Sequence, residues 1–251
     1  MPVKLLKLNW KKNLMSKGKL YMIPTTLGES DVTKILPLSV KENIHQLDEF
    51  IVENSKTARA FLKQMEIPSP QNQLKIHVLN KHTDAQELHG FLNACRNGLN
   101  IGLISEAGCP GVADPGAEIV SIAHKEDIQI IPLVGPSSIL LSLMASGLNG
   151  QSFTFNGYLP IERSDVKKKL KELERISRNY NQTQLFIETP YRNNKLIDTL
   201  YQSLQSNTKL CIACDISLNT EYIKTKTIAE WKKTAKPDLH KRPCIFLIYA
   251  Q

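Results

Sequence analysis

The sequence predicts an α/β fold with two domains, an N-terminal parallel-sheet domain and a C-terminal mixed-sheet domain. In the first part, apolar strand-like segments alternate with stretches of helical spacing, which is typical of parallel strands joined by crossover helices. From about residue 151, strand-like segments follow each other more quickly, which indicates a mixed sheet. The 251 residues are enough for two cores. We therefore expect a basic arm at 1–18, one domain at 19–147 and another at 148–251.

The first predicted domain consists of five strand–helix units. Its strands are expected at 20–24, 48–53, 74–79, 100–105 and 128–134, and its helices at 39–45, 57–65, 84–96, 117–124 and 137–146. Pro68 and Pro70 prevent the second helix from continuing, and Gly147 supplies a C-cap for the last one. A strand followed each time by a helix implies a parallel sheet that is covered on both faces.

The second predicted domain has more strands than helices. Strands are expected at 152–159, 183–188, 209–214, 221–228 and 243–249, and helices at 165–178 and 191–204. No segment rich in Gly or Ser separates the two halves, so we expect the domains to pack tightly.

The positive charge is concentrated at the N-terminus. The formal net charge is +8, and residues 1–20 contain six lysines and no acid, which leaves +2 for the rest. A basic arm can contact phosphates, and a solvated tail fits the same composition. The arm has neither an uninterrupted apolar segment nor an arginine, which argues against a secretory signal and a transit peptide. No segment is apolar over the length that a membrane span needs.

The cysteines indicate core packing in a reducing compartment. There are five, at positions 95, 109, 211, 214 and 244, and an odd number with irregular spacing is not typical of a disulfide scaffold. Cys211 and Cys214 resemble half of a metal or redox motif, but they lie in a predicted strand. Residues three apart on a strand point to opposite faces. We therefore predict buried side chains, no metal site and a cytoplasmic protein.

Three loops after predicted strands carry the functional signal. Ser105–Gly116 contains three glycines and two prolines, with a spacing unlike the dinucleotide fingerprint or the P-loop. The segment 132–138 leads from a strand through Gly135 and Pro136 into a helix, and 23–28 follows the first strand. The first loop also fits a plain surface connection, and the second fits a well-capped helix. Loops after parallel strands emerge at one edge of the sheet, where ligands bind, so together they predict a pocket.

Taken in order, these segments resemble the tetrapyrrole methylase superfamily. The resemblance runs from about Gly18 to the end of the chain and includes Pro24-Thr-Thr-Leu-Gly28, Ser105–Gly116, Pro132–Ser138, Phe155-Asn-Gly-Tyr-Leu-Pro160 and Phe186-Ile-Glu-Thr-Pro-Tyr-Arg192. Within the superfamily, the chain is most similar to the bacterial branch that methylates a ribose 2′-OH of a cytidine in 16S ribosomal RNA.

The resemblance implies a homodimer with S-adenosylmethionine (AdoMet) in the cleft between two α/β domains. By matched position, the cofactor contacts would be Pro24, Glu106, Gly108, Pro110, Val112, Ala113, Asp114, Pro136, Ser137, Ser138 and Leu159. Glu188 and Arg192 would line the substrate side or the domain interface.

Several polar positions depart from the rRNA branch. Its typical Glu-Asp-Thr-Arg is Glu53-Asn54-Ser-Lys56 here, its His-Asn pair is His82-Thr83, and its Asp before Ala-Gly is Glu106. Matched position makes Glu53 and His82 the candidate bases and Asn54 a substrate-side residue. Lys56 is the third candidate catalytic residue, which could hold a phosphate or orient the acceptor. The structural alternatives are a Glu53–Lys56 ion pair, a surface histidine, and an Arg192 that only pairs with Glu188.

We expect an AdoMet-dependent methyltransferase of rRNA ribose, with the small ribosomal subunit as its partner. RNA contacts would come from the arm, from residues 232–242, and from Lys167, Lys168, Lys171, Arg175 and Arg178, unless these only form a solvated helix face. The alternatives are a methyltransferase of a tetrapyrrole or another small molecule, and a catalytically degenerate AdoMet-binding protein.

Overall fold

A five-stranded parallel sheet forms the first half of the molecule. The structure is a computed structural model that describes residues 16–79 and 83–251. The strands are β1 (Leu20–Ile23), β2 (Glu49–Val52), β3 (Lys75–Val78), β4 (Ile101–Ile104) and β5 (Ile130–Pro132), in the spatial order β3-β2-β4-β1-β5. All neighbouring strands run parallel. The predicted parallel sheet is therefore confirmed. Residues 1–15 of the arm predicted at 1–18, and His82, lie outside the described residues.

Helices connect these strands. They are α1 (Val32–Ile35), α2 (Leu38–Ile44), α3 (Ser55–Gln64), α4 (Ala85–Gly90), α5 (Asn93–Arg96), α6 (Gly116–Lys125) and α7 (Ser138–Ser146). The single helix predicted at 84–96 is wrong, because the chain leaves helical geometry after Gly90 and resumes at Asn93. Glycine favours such an ending because its backbone loses the most freedom inside a helix. The C-cap at Gly147 is confirmed, with a left-handed φ of 66°.

A mixed five-stranded sheet forms the second half, as predicted. Its strands are β6 (Phe153–Tyr158), β7 (Thr183–Ile187), β8 (Lys209–Cys214), β9 (Tyr222–Thr227) and β10 (Cys244–Tyr249), in the order β6-β7-β10-β8-β9. The β6–β7 pair is parallel, and the other pairs are antiparallel. Its helices are α8 (Arg163–Tyr180), α9 (Asn193–Ser203) and α10 (Ile228–Trp231). The predicted strand at 221–228 ends one residue early, because Thr227 and Glu230 form a capping box that starts α10.

Helix α7 packs on the second sheet although the sequence places it with the first. Leu143 lies in one apolar cluster with Leu185 of β7 and Ile245 of β10. The hydroxyl of Thr225 on β9 donates a hydrogen bond of 2.7 Å to the carbonyl of Ser146. The polypeptide therefore crosses from one sheet to the other between β5 and α7.

The cysteines of the second sheet are core residues. Cys211 packs on the α7 side with Leu143, and Cys214 packs on the opposite face with Leu170 of α8. The predicted core packing is confirmed. Among the described residues, no cluster of His, Cys, Asp or Glu has the geometry of a metal site. In that same part of the chain, no helix combines the length and apolarity needed to cross a bilayer.

Candidate active site between the two sheets

A cleft of about 350 Å³ separates the carboxyl edge of the first sheet from the second sheet. One wall comes from the loop at 105–114 with Leu27 and Glu53, and the other from Phe155, Tyr158, Ile187 and Ile245. Ser137 and Ser138 line it where the chain crosses between the sheets. The three loops singled out in the sequence thus meet at one site.

Asp114 holds the glycine-rich loop in shape. Its carboxylate accepts the N–H groups of Gly111, at 2.8 and 2.9 Å, and of Gly116, at 2.8 Å. Gly108, Gly111 and Ala113 have left-handed φ angles of 74°, 80° and 61°. Glycine accepts such angles without strain, whereas Ala113 needs the surrounding loop to impose one. The carboxylate therefore organises backbone as well as facing the cleft.

Close backbone contacts join the three loops. The carbonyl of Gly108 accepts the Thr25 N–H at 3.0 Å, which ties the glycine-rich loop to the loop after β1. Gly135 lies against Pro24 so closely that an added Cβ would come within 2.2 Å of the proline ring. Pro24 and Pro136 belong to these junctions, and neither is among the residues that line the cleft in the described structure.

Glu53 is the carboxylate with a perturbed environment. It follows β2 and accepts the backbone N–H of Glu106 at 3.4 Å. Burial raises the pKa of Glu53, and the nearby carboxylates of Asp114 and Glu106 raise it further, against the lowering effect of that hydrogen bond. Glu106 in turn accepts a hydrogen bond of 2.6 Å from the Thr57 hydroxyl. Three acidic side chains thus surround one end of the cleft.

Asn54 and Lys56 are close to Glu53 in the sequence, but of the three only Glu53 is among the described residues that line the cleft. The Asn54 side chain caps α3 by accepting the N–H groups of Lys56, at 2.9 Å, and Thr57, at 3.4 Å. Lys56 is exposed, and within residues 16–79 and 83–251 it forms no ion pair with Glu53. His82, the other predicted base, is outside the described residues.

The predicted cofactor residues fall into two groups. Glu106, Gly108, Val112, Ala113, Asp114, Ser137 and Ser138 line the cleft. Pro110 lines a small adjoining cavity with Glu53, and the Leu159 side chain is buried in the core of the second sheet. The sequence reading missed the apolar wall of Phe155, Ile187 and Ile245. These residues lie on predicted strands, but which of them face the cleft depends on how the two sheets pack together.

Glu188 lines the continuation of the cleft, and Arg192 is its ion-pair partner. A neighbouring cavity of about 230 Å³ shares Leu27, Ala107, Ser138 and Tyr158 with the cleft and reaches Glu188. Glu188 is buried, and its carboxylate accepts the Arg192 Nε–H at 3.0 Å and the Thr189 N–H at 2.6 Å. The ion pair that was the structural alternative for Arg192 therefore forms, and a substrate-side role for the two residues stays a prediction.

No protein-family model matches the chain, but individual proteins do. It is 30% identical over 223 residues to ribosomal RNA small subunit methyltransferase I of Halalkalibacterium halodurans, which covers 87% of this chain and 72% of that protein. The identity to the Vibrio cholerae protein of the same name is 28% over 212 residues, or 84% of this chain and 69% of the relative.

Solved structures share the fold at low sequence identity. The methyltransferase CobJ superposes with a TM-score of 0.61 at 15% identity and covers 92% of this chain and 94% of its own. Cobalt precorrin-4 methyltransferase CbiF gives 0.57 at 15% identity, with the same two coverages. Uroporphyrin-III C-methyl transferase from Thermus thermophilus, complexed with S-adenyl homocysteine, gives 0.53 at 16% identity and covers 92% and 97%. The chain therefore has the two-domain fold of the tetrapyrrole methylases, and its sequence relatives show that it belongs to the ribosomal RNA small subunit methyltransferase I family.

Proposed function

We propose that the protein transfers a methyl group from AdoMet to a ribose 2′-OH of 16S rRNA in the small ribosomal subunit. The observation that carries this proposal is the cleft between the sheets, where the loop fixed by Asp114 faces Phe155 and Ile245. The names of the relatives supply the substrate, since they act on small-subunit ribosomal RNA.

The cleft fits AdoMet in size and chemistry. Its volume of about 350 Å³ lies in the range of small-molecule sites. Phe155, Ile187 and Ile245 offer an apolar surface to a flat base, and the hydroxyls of Ser137 and Ser138 can bond a ribose or an amino-acid group. The carboxylates of Glu53 and Glu106 suit the positive charge of a sulfonium. When bound, AdoMet supplies the electrophilic methyl group.

The residues of the chain position the acceptor and take its proton. A neutral ribose hydroxyl becomes nucleophilic as its proton leaves, and a carboxylate with a raised pKa is a better proton acceptor than an ordinary one. We assign this step to Glu53, whose carboxylate is fixed by the Glu106 N–H. Thr57 and Asn54 are positioning residues, because they orient Glu106 and the start of α3.

The assignment is tested with purified protein, labelled AdoMet and small ribosomal subunits that lack the modification. We expect label on one ribose, located by nuclease mapping. AdoMet binding without transfer to RNA would contradict the proposal and favour a degenerate protein. Label transferred to a tetrapyrrole and not to RNA would favour the small-molecule alternative. A calorimetric titration without AdoMet binding would remove the cofactor assignment.

We further propose that the protein acts in the cytoplasm, where its ribosomal substrate would be, and that it forms a homodimer. Leu140 and Met144 are one helical turn apart on α7 and are 51% and 77% exposed. This apolar face suits a second copy of the chain, because isologous contacts bury the same patch on both subunits. Light scattering should give a dimer for the wild type and a monomer for Leu140→Glu/Met144→Glu. Leu38→Glu, at an exposed leucine of α2, is the control and should remain a dimer.

A further inference from the structure

We propose that a cavity between α8 and α9 binds the phosphate and base of a nucleotide next to the methylated one. The cavity has a volume of about 480 Å³. Its lining includes Ile161, Arg163, Val166, Glu188, Lys195 and Leu196. The identity of the ligand as RNA rests on the proposed function, whereas the site itself rests on the following contacts.

Among the described residues, two cations of this cavity have no carboxylate partner. The acids of the lining are already paired, Glu188 with Arg192 and Asp198 with Lys236 at 2.9 Å. The Arg163 guanidinium donates to the neutral amide oxygen of Gln202, at 3.1 Å. Across the part of the chain that the structure describes, neither Arg163 nor Lys195 forms an ion pair. The cavity therefore offers positive charge to an anion.

Two helices begin at the same cavity. Helix α8 starts at Arg163 and has 18 residues, and α9 starts at Asn193 and has 11 residues. The first turns of both contribute lining residues, and helix N-termini carry partial positive charge. This field adds to that of Arg163 and Lys195, so a phosphate is favoured over a neutral ligand.

The same cavity has an apolar part. Val166 and Leu196 are buried in its floor, and Ile161 is 77% exposed at its rim. Such surface suits the face of a nucleobase and does not suit a bare phosphate ion. The combination of cations and apolar side chains therefore indicates a nucleotide.

The cavity continues the path from the cleft. Glu188 lines both this cavity and the neighbouring one, which shares Ala107 and Ser138 with the cleft. A nucleic-acid strand whose target ribose lies in the cleft would thus pass Glu188 and place its next nucleotide between α8 and α9. From this path we assign the site to a flanking nucleotide of single-stranded RNA.

The test uses cytidine 3′,5′-bisphosphate as the probe, titrated calorimetrically into the full chain that is saturated with S-adenosylhomocysteine. Arg163→Gln/Lys195→Gln should weaken probe binding at least tenfold. The control Lys34→Gln/Lys63→Gln removes the same charge from exposed helix positions of the first half and should bind like the wild type. Thermal melting of each variant shows whether it is folded.

A second measurement connects the site to RNA. In the subunit methylation assay, Arg163→Gln/Lys195→Gln should raise the KM for subunits about tenfold with kcat little changed. It should also flatten the salt dependence of KM, because fewer phosphates are neutralised.

The outcomes are distinct. Equal probe binding by both double variants, or no binding to the wild type at millimolar probe, overturns the site. Weaker probe binding with an unchanged KM for subunits overturns the flanking-RNA assignment and indicates a free nucleotide. If the wild type binds the probe but methylates no RNA, and Arg163→Gln/Lys195→Gln loses probe binding, the proposed function has failed while the nucleotide site stands.

Discussion

At the scale of single residues, Glu53 is the proton acceptor that we propose for the cleft. Glu53→Gln keeps the shape and removes this proposed base, so we expect kcat to fall by roughly 10²- to 10⁴-fold. AdoMet binding should change little. The control Glu118→Gln, at an exposed position of α6, should retain full activity. Full activity of Glu53→Gln would instead point to His82 as the base.

The pH dependence of Glu53 follows from its raised pKa. Wild-type kcat should fall as the pH drops through this raised pKa, because the protonated carboxyl accepts no proton. For stability the sign is opposite. The folded protein binds this proton more tightly than the unfolded chain, so the contribution of Glu53 to the free energy of unfolding is full below the ordinary carboxyl pKa and declines as the pH rises through the raised pKa. Thermal melts should show a smaller decline for Glu53→Gln.

Asp114 is predicted to matter through the backbone that it organises. Asp114→Ala leaves the N–H groups of Gly111 and Gly116 without their acceptor, which costs about 1–3 kcal/mol per unsatisfied group when buried. We expect a lower melting temperature and AdoMet binding at least tenfold weaker by calorimetry. Asp114→Asn keeps one oxygen, which can serve both glycines, and should be milder. Equal AdoMet affinity in wild type and Asp114→Ala would show that the loop is shaped by other contacts.

The sequence located these residues but not their partners. The glycines and prolines of Ser105–Gly116 marked the loop because backbone conformation depends on residue type at close range. The capping role of Asn54 is local, since its side chain accepts the N–H groups two and three residues further on, and an Asn before a helix is a recognisable N-cap. The hydrogen bond between Thr57 and Glu106 joins residues 49 apart and depends on how α3 packs against the loop after β4, which no local pattern encodes. The apolar wall of Phe155 and Ile245 depends on the packing of two sheets.

At the scale of elements, Glu174 fastens α8 to the turn before β8. It is buried, accepts the Gln205 N–H at 2.8 Å, and also accepts the Thr208 hydroxyl. Glu174→Ala should lower the free energy of unfolding by about 2–4 kcal/mol, since it leaves two donors unpaired and removes buried volume. Glu172→Ala, at an exposed i,i+3 pair with Lys169, should change it by less than about 0.5 kcal/mol. Chemical denaturation measures both, and similar values would contradict the fastening role.

The strands and the long helices were predictable, and the one-turn helices were not. A short apolar segment is enough to indicate a strand, and α8 has 18 residues in which a helical period is visible. Helices α1 and α10 have four residues each, which is about one turn, so capping by Asp31 and Thr227 defines them instead. The break after Gly90 was missed because Leu88, Phe91 and Leu92 keep an apolar pattern across it.

At the scale of the whole molecule, the packing of α7 bears on where the domains divide. The predicted boundary at 147 separates α7 from the second sheet, on which Leu143 is buried. We expect a fragment of residues 137–251 to melt cooperatively and one of 148–251 to bind hydrophobic dyes, because the latter exposes Leu185 and Ile245. Circular dichroism and dye fluorescence make this comparison. A cooperative melt of 148–251 would support the boundary at 147.

The placement of α7 was beyond the sequence because it is a long-range property. The segment 137–146 has the strand–helix spacing of the units before it, so the pattern assigns it to the first sheet. The contacts of Leu143 and the hydrogen bond from Thr225 to Ser146 show which sheet it covers.

Because the chain crosses between the sheets before α7, the cleft is lined by residues from both sheets. Ser138 begins α7, which packs on the second sheet, whereas Ala107 follows β4 of the first sheet, so the two residues that line the cleft are anchored on different sheets. A ligand that contacts both walls binds the folded arrangement of the two sheets. At a concentration of 100 times its Kd, it would stabilise that arrangement by about 2.7 kcal/mol. Cofactor binding and the stability of the two-sheet arrangement are therefore thermodynamically linked, so a thermal melt with the cofactor also reports its affinity.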